Sequence, residues 1–498
     1  MTAPARVLVI GAGPAGLAAG VRLLERARGR VSVTLAHQGH HLGGKAASYT
    51  DAAGRRLEHG WHMMLGFYER LFGLMDRAGA SRARAIMSMF GKSHAFEPAV
   101  GKVFTLDSTG GRVATAFNFA RYEGIPLDDR AHYSRFMSQV YGRILGGEEL
   151  TQHDDVCFTR WAIEQGLRPH LTRYSLFRLF RDGYFNFPEQ VSAYHVLQTM
   201  KLMSTSEGAE AFAAVGPYSE RVWAPIGRYF ESLGGVVEPY VMVRALGYDG
   251  RRVTKLHVAR PAGSGHDDGA SSWKAARLPV EPGTERELGG FDAVIAAIPQ
   301  AVFVTLNEGD PRMWRSPYFA RMTNLRSVAT MSMTVRTRDP VLPYVGPVHG
   351  LPAPLGIAVN MTRYLDRYRS GEERGHEVQL VGQEAGFESW SDDAVASFAL
   401  DQLARVPGGD LRAATITYLE LHRNRADFER IFVCEPGVQR FRPGPLTPFD
   451  NLFVAGDWVK NDVDLVCMEG AVCSGYDAAD QLLARLPDLG GRSEARAP

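Results

Sequence analysis

The sequence has few cysteines, and those it has show no pattern. Its 498 residues contain four: Cys157, Cys434, Cys467 and Cys473. Their spacing matches neither a Cys-x-x-Cys redox motif nor a set of metal ligands. We therefore expect reduced thiols, no metal centre and a cytoplasmic protein.

An excess of charge and a long apolar run are also missing. Lys and Arg number 56 against 55 Asp and Glu, a net charge of +1, so no bulk attraction to nucleic acid is expected. No run reaches the roughly 18 apolar residues that a membrane-spanning helix needs, and no signal peptide precedes the first predicted strand. A peripheral contact with a membrane surface is left open, and nothing indicates the oligomeric state.

The N-terminal segment is the first informative feature. Residues 7–10 are four apolar residues typical of a buried parallel strand, and the turn Gly11-Ala12-Gly13 follows. Glycines there let the backbone approach a pyrophosphate, whose charge would lie at the N-terminus of a helix that Pro14 and Ala15 open. Gly16 lets that helix pack on the strand, so the pattern predicts a dinucleotide site.

An expected acidic residue is absent from the second predicted strand, residues 31–35. About 20 positions after the glycines, such sites carry a carboxylate that binds the adenosine ribose. This chain has His37 instead. An imidazole accepts one hydrogen bond where a carboxylate accepts two, so weaker cofactor binding is expected. The alternative is an NADP 2′-phosphate at His37, although no arginine cluster surrounds it.

Two further segments favour FAD. Gly43, Gly44 and Lys45 form a second glycine turn, with a positive charge, that can approach the pyrophosphate from its other side. Residues 451–458 then read as a strand ending in Gly456-Asp457, and a helix is predicted from Met468. The amides at the N-terminus of such a helix favour negative charge nearby.

These segments, with residues 57–75 and 435–443, resemble the FAD-dependent carotenoid desaturase group of the flavin amine oxidase superfamily. The group includes phytoene desaturases, ζ-carotene desaturases and hydroxysqualene dehydroxylases. The resemblance is strong over residues 5–80 and 425–485. With the glycine turns it implies these cofactor-binding residues: Gly11, Gly13, Pro14, Ala15, Gly16, His37, Gly43, Gly44, Lys45, Gly60, Trp61, His62, Gly456, Asp457, Met468, Glu469 and Ala471.

The fold class implied by the resemblance is α/β plus α+β. A discontinuous Rossmann-like FAD-binding domain of the glutathione-reductase type is expected, with a mixed sheet and helix substrate domain. The FAD-binding domain would comprise residues 1–90, 221–300 and 426–490. The substrate domain would comprise 91–220, which looks helical and aromatic, and 301–425. We expect residues 259–290 to be a solvated excursion and 491–498 a flexible tail.

Flavin dehydrogenation transfers a hydride, so the protein supplies orientation and, in some enzymes, a base. The side chains expected to line the ring are Lys45, His62, Trp458, Met468 and Glu469. His62 is the leading candidate base because an imidazole titrates near neutral pH. It can equally be a hydrogen-bonded core residue. Glu469 is a second candidate, although a carboxylate in a first helical turn also serves as a cap.

Three functions fit this sequence. The first is an FAD-dependent desaturase or dehydrogenase that acts on a hydrophobic, isoprenoid-type small molecule. The second is a flavin amine oxidase, in which an aromatic residue normally precedes the Met-Glu-Gly-Ala segment; here that residue is Cys467. The third is a lipid-binding protein without redox activity on a degenerate FAD fold.

Overall fold

The computed structural model describes residues 3–39, 41–51, 53–58, 60–89, 92–98, 100–107, 125–174, 176–204, 210–262, 279–308 and 310–490. The predicted tail, 491–498, lies outside the described residues. The strands are β1 Ala5–Ile10, β2 Val31–Ala36, β3 Ser48–Thr50, β4 Arg56–Glu58, β5 Met64–Leu65, β6 Ile86–Ser88, β7 Lys92–Glu97, β8 Lys102–Asp107, β9 Ala211–Ala214, β10 Val236–Glu238, β11 Met242–Asp249, β12 Arg252–Ala259, β13 Arg286–Gly289, β14 Ala293–Ala296, β15 Ser327–Val328, β16 Thr330–Thr337, β17 Val348–His349, β18 Leu355–Asn360, β19 His376–Gln383, β20 Ile416–Asn424, β21 Ile431–Phe432 and β22 Leu452–Val454. The α-helices are α1 Pro14–Ala27, α2 Glu69–Arg77, α3 Arg82–Ala85, α4 Leu127–Leu145, α5 Phe158–Glu164, α6 Leu176–Gly183, α7 Ala193–Met203, α8 Ala224–Ser232, α9 Gln300–Leu306, α10 Pro311–Arg315, α11 Pro317–Ala320, α12 Asp366–Arg369, α13 Asp392–Leu403 and α14 Met468–Gly490.

A five-stranded parallel sheet joins the two ends of the chain, in the order β10-β2-β1-β14-β22. Alternate residues of β1 enter two different cores: Val7 and Val9 pack with α1 and α14, and Leu8 and Ile10 pack on the opposite face. Burial on both faces explains why this strand is apolar at every position from residue 7 to 10. The predicted strand, turn and helix at the N-terminus are confirmed.

The first and last helices pack closely beside this sheet. A Cβ at Gly475 would lie 2.2 Å from the Ala15 carbonyl oxygen, so glycine is needed where α14 crosses α1. The Arg22 guanidinium binds both Asp480 carboxylate oxygens across the same contact, at 3.1 and 2.9 Å. This packing brings the N-terminal ends of α1 and α14 to the same edge of the sheet.

A second, seven-stranded sheet has the order β20-β16-β19-β18-β17-β7-β8 and is antiparallel except between β17 and β7. It includes a region that the sequence predicted as helical, because β7 and β8 form a hairpin at its edge. The partner of β7 in the sheet, β17, is remote in sequence, so the local pattern did not reveal this strand. Among the described residues after β8, the next element is the helix α4, which begins at Leu127.

Strands β11 and β12 pair antiparallel in a hairpin that turns at residues 249–252. Residues 259–290, predicted to be a solvated excursion, end in the mostly exposed strand β13, which pairs antiparallel with β12. Residues 263–278 of this segment lie outside the described residues. Arg286 and Glu287 in this edge strand are charged and exposed, so the sequence shows no apolar pattern that would predict a strand here. None of the helices among the described residues is long and apolar enough to cross a membrane.

Candidate active site

A cleft of 440 Å³ lies where the carboxyl edge of the parallel sheet faces the seven-stranded sheet. Most of the residues predicted to bind a cofactor line it. These are Gly11, Gly13, Pro14, Ala15, His37, Gly44, Lys45, Gly60, Trp61, His62, Gly456, Asp457, Met468 and Ala471. The predicted residues Gly16, Gly43 and Glu469 do not line the cleft.

The glycines of the first turn have separate roles. Gly11 has a φ of +104°, and a Cβ there would lie 2.4 Å from the Ala297 carbonyl oxygen. A Cβ at Gly16 would lie 1.9 Å from the Gly11 carbonyl oxygen, which explains why this glycine supports the cleft from behind. A Cβ at Gly13 would meet nothing closer than 3.9 Å, so Gly13 leaves open space at the cleft wall.

The second glycine turn faces the first. The Gly43 amide donates to the Ala12 carbonyl at 2.8 Å, and a Cβ on Gly44 would lie 3.0 Å from the Gly13 Cα. Gly43 itself faces inward, because a Cβ there would lie 2.3 Å from the Trp223 indole. Two backbone segments without side chains thus form a narrow cradle at the start of α1.

A lysine and an aspartate stand beside this cradle. The Lys45 Nζ lies 3.8 Å from the Asp457 Oδ2 and donates to the Arg430 carbonyl at 3.2 Å. Asp457 follows Gly456, just beyond the end of β22, the last strand of the parallel sheet. The expectation that Trp458 lines the ring is wrong: its indole is buried and donates to the Ile298 carbonyl at 2.9 Å.

His37 directly follows the end of β2 and lines the cleft there. Its side chain is buried, its amide donates to the Glu238 carbonyl and its carbonyl accepts from the Val241 amide. Tyr240 and Val243 line the cleft beside it. The histidine therefore lies where the pattern predicted a ribose-binding carboxylate, between the loop after β10 and the end of β2.

His62 lies in the cleft wall, half-buried, with its ring 5.6 Å from that of Tyr218. Burial lowers the pKa of His62 to about 4, against hydrogen bonds to the backbone of Gly60 and Lys45 that raise it. The ring is consequently neutral at physiological pH. The reason given for choosing it as a base, an unperturbed pKa near neutrality, does not hold in this site, and its catalytic role stays a prediction.

Glu469 has a different environment from the one its sequence position suggested. Its carboxylate accepts the backbone amides of Arg70 and Leu71, each at 2.8 Å, and so caps the first turn of α2. Burial raises its pKa to about 7, and those two amides oppose the shift. Both carboxylate oxygens are bound to another helix and the side chain lies outside the cleft, so Glu469 caps α2 and is not placed to act as a base.

The N-terminus of α14 opens into the cleft through Cys467 and Met468. The Gly470 amide donates to the Cys467 Sγ at 3.4 Å, and the Ala471 amide donates to its carbonyl at 3.0 Å. Burial raises the pKa of the Cys467 thiol to about 12, so it is a neutral thiol and not a nucleophilic thiolate. Tyr68 and Tyr184 line the cleft near it.

The wall of the cleft that lies opposite the cradle consists of residues that the sequence did not predict. These residues come from the seven-stranded sheet and from scattered loops, and no local motif marks them. They are Phe185, Thr330, Met331, Ser332, Ile357, Val381, Asn424, Phe428, Glu429, Ile431 and Val466.

A family model for flavin containing amine oxidoreductases matches residues 14–483. The chain belongs to this family. It is an FAD-dependent oxidoreductase, and the resemblance to the carotenoid desaturase group of the flavin amine oxidase superfamily is confirmed. The third interpretation, a lipid-binding protein without redox activity, is therefore set aside.

Relatives with established names match almost the whole chain at low identity. A ζ-carotene desaturase of Synechocystis sp. is 24% identical over 514 residues, covering 96% of this chain and 97% of its own length. A carotenoid phi-ring synthase of Streptomyces griseus is 26% identical, with coverages of 97% and 88%. A 15-cis-phytoene desaturase of Synechococcus elongatus is 21% identical, with coverages of 99% and 98%.

Solved structures share the fold. Putrescine oxidase bound to putrescine aligns with a TM-score of 0.67 at 16% identity, over 97% of this chain and 99% of that one. Reduced UDP-galactopyranose mutase aligns with a TM-score of 0.65 at 14% identity, over 99% and 98%. The architecture is therefore the mixed α/β fold of FAD-dependent enzymes.

The residues present fit FAD. The open space at Gly13, opposite Gly44, suits a pyrophosphate at the start of α1, where amides and helix dipole favour negative charge. Lys45 supplies a cation near this point. The first turn of α14 lies in the same cleft and suits the flavin end of the cofactor.

Proposed function

We propose that this enzyme is a desaturase or dehydrogenase that oxidises a hydrophobic, isoprenoid or carotenoid-type substrate. We propose with it the domain division given above, with an FAD-binding domain of the glutathione-reductase type in three segments. The named relatives act on carotenoids or their precursors, which supports the substrate class. A cytoplasmic location stays a prediction.

The observation that carries the proposal is the apolar wall opposite the cofactor cradle. Met331 and Ile357 are almost fully buried and come from two strands of the large sheet, and Val381 lies on the strand between them. Phe185 and Phe428 add aromatic surface. A hydrocarbon gains about 25 cal/mol for each Å² of apolar surface that it buries against such a wall.

In this proposal the two glycine turns hold the pyrophosphate, Asp457 binds the ribityl chain, and His37 binds the adenosine ribose. FAD, when bound, accepts a hydride from a substrate C–H bond. The protein orients that bond and excludes water, and the apolar wall performs both tasks. His62, neutral in the cleft wall, packs against the substrate or the cofactor.

Amine oxidation is the second candidate, and one observation favours it. Tyr68 and Tyr184 line the cleft near the N-terminus of α14, where aromatic rings could enclose an amine. Against it, the residue before Met468 is Cys467 and not an aromatic residue.

The test is product analysis. The purified holoenzyme would be incubated with phytoene or ζ-carotene in detergent micelles and with a quinone as electron acceptor, and the extracted products separated by chromatography. We expect products with additional conjugated double bonds. Unchanged carotenes, together with oxidation of a diamine such as putrescine, would replace the proposal with the amine oxidase alternative. Mass spectrometry of lipid that co-purifies with the enzyme would narrow the substrate further.

A further inference from the structure

A buried carboxylate stands out in the apolar wall of the cleft. Glu429 lines the cleft between Phe428 and the start of β21, and only 1% of its side chain is exposed. An isolated buried carboxylate is costly, whereas a wall that only binds hydrocarbon needs none. Among the described cleft residues the other carboxylate is Asp457, which stands beside Lys45 on the cofactor side.

Glu429 is held in place by two partners. Its Oε1 lies 3.0 Å from the Nε2 of His422, whose side chain is 4% exposed. Its Oε2 accepts the Ala426 amide at 3.3 Å, within the turn in which the Glu429 amide donates to the Ala426 carbonyl. Each carboxylate oxygen has two lone pairs, so both retain the capacity to accept a proton.

The position of Glu429 links the two ends of the cleft. The next residue, Arg430, accepts a hydrogen bond from Lys45 through its carbonyl, and Lys45 lies beside Asp457 in the cradle. His422 and Asn424 lie two residues apart on β20, and Asn424 also lines the cleft. The carboxylate therefore stands at the junction of the cofactor cradle and the substrate wall.

We infer that Glu429, held in place by His422, is the catalytic base of this enzyme; the inference rests on the proposed desaturation. One substrate C–H bond breaks and its electron pair becomes the new carbon–carbon π bond, while the proton passes to a Glu429 carboxylate oxygen. The adjacent carbon loses a hydride, with its two electrons, to oxidised FAD. This assignment replaces Glu469, which lies outside the cleft.

The deciding variant is Glu429→Gln. Glutamine keeps an oxygen that can accept the Ala426 amide and a side chain that can bond to His422, but it cannot take up the proton. Under anaerobic conditions, with the carotene that reduces the unaltered enzyme, we expect flavin reduction to slow at least about 100-fold at unchanged FAD content. A Glu429→Ala variant should be equally slow and should regain rate in proportion to added acetate.

Glu420→Gln is the matched control. Glu420 lies on β20 like His422, accepts hydrogen bonds from Tyr49 and Tyr418, and does not line the cleft. This variant should reduce as fast as the unaltered enzyme. If Glu429→Gln also reduces that fast, or if Glu429→Ala is slow and acetate does not restore it, the inference is overturned. If no carotene reduces the unaltered enzyme, the proposed function fails and takes the inference with it.

Discussion

The two ends of the cleft differ in whether backbone or side chains form them. The cofactor end consists of backbone: Gly13 and Gly44 face each other without side chains, and the first turns of α1 and α14 present amides. The substrate end consists of side chains from strands far apart in the chain, such as Met331, Ile357 and Val381. The first end depends on conformations and close approaches, and the second depends on which side chains meet.

This difference predicts two kinds of variant. A change at the cofactor end should alter how much FAD the protein holds, because an added atom would occupy the space assigned to the cofactor. A change at the substrate end should leave FAD in place and alter the rate at which substrate reduces it. Variants of Arg442, Gly13 and His37 test the first half of that division, and variants of Glu429 test the second. A variant of Glu58 tests a carboxylate that does not line the cleft.

The largest effect is expected from Arg442→Met. The Arg442 guanidinium is buried, donates to the carbonyls of Asp457 and Val459, and pairs with Asp464 at 2.6 Å. It therefore organises the loop that carries Asp457. Its loss leaves the Asp464 carboxylate without its cation, and we expect a destabilisation of about 3–5 kcal/mol with loss of bound FAD.

Denaturant unfolding and flavin content measure this prediction. Arg251→Met is the matched control, because Arg251 pairs with Asp450 at 3.4 Å on the surface and is 75% exposed. That variant should change stability by less than about 1 kcal/mol. Equal effects of the two substitutions would contradict the structural role of Arg442.

Gly13→Ala should leave the fold intact and weaken FAD. The added methyl group meets no protein atom within 3.9 Å but occupies the space assigned to the pyrophosphate. We expect FAD binding to weaken by about 1–3 kcal/mol, the usual effect of overfilling a packed site. Isothermal titration with FAD measures the change. Gly142→Ala, within α4 and with no atom nearby, is the control and should leave FAD affinity unchanged.

Glu58→Gln should change the pH dependence of stability. Burial raises the pKa of Glu58 to about 8 from 4.5, although the Ser48 hydroxyl and Tyr218 amide donate to it. A folded-state pKa above the unfolded value means that the stability Glu58 contributes is complete below pH 4.5 and is lost as the pH rises through 8. Glutamine does not ionise. The variant should therefore melt like the parent at low pH and at a higher temperature than the parent above pH 8; a difference independent of pH would contradict this.

The smallest effect is expected at the adenosine end. His37→Glu restores the carboxylate typical of ribose sites and should tighten FAD by about 1 kcal/mol. Quenching of flavin fluorescence on binding measures the dissociation constant. Weaker binding in the variant would mean that the site is built around an imidazole, or that its natural ligand carries a phosphate there.

The contrast between the ends also explains what sequence analysis could reach. The glycine turns were predictable because they are local. A strand, a turn and a helix follow one another in the chain, and glycine is typical of positions where a side chain would not fit. Position in a motif did not reveal which way a side chain faces, so Glu469 and Trp458 were assigned to the cleft although both face away from it. The roles of Gly16 and Gly43 as supports, with no surface in the cleft, were hidden for the same reason.

The residues of the substrate wall could not be predicted from the sequence, for a different reason. Glu429 lies more than 300 residues from the N-terminal cradle in the sequence, and its partner His422 belongs to a strand whose pairing with β16 is set by tertiary structure. Similarly, the hairpin of β7 and β8 joins the large sheet because β7 pairs with β17, and local periodicity does not predict a contact so remote in sequence.

The most direct test of the account is a single-turnover measurement on the holoenzyme without oxygen. ζ-Carotene or phytoene in micelles would be mixed rapidly with the yellow protein, and putrescine would be mixed with it in parallel, while the flavin absorbance is followed. The account predicts bleaching by a carotene and none by the amine. Bleaching by putrescine, with an unchanged spectrum in both carotenes, would contradict it.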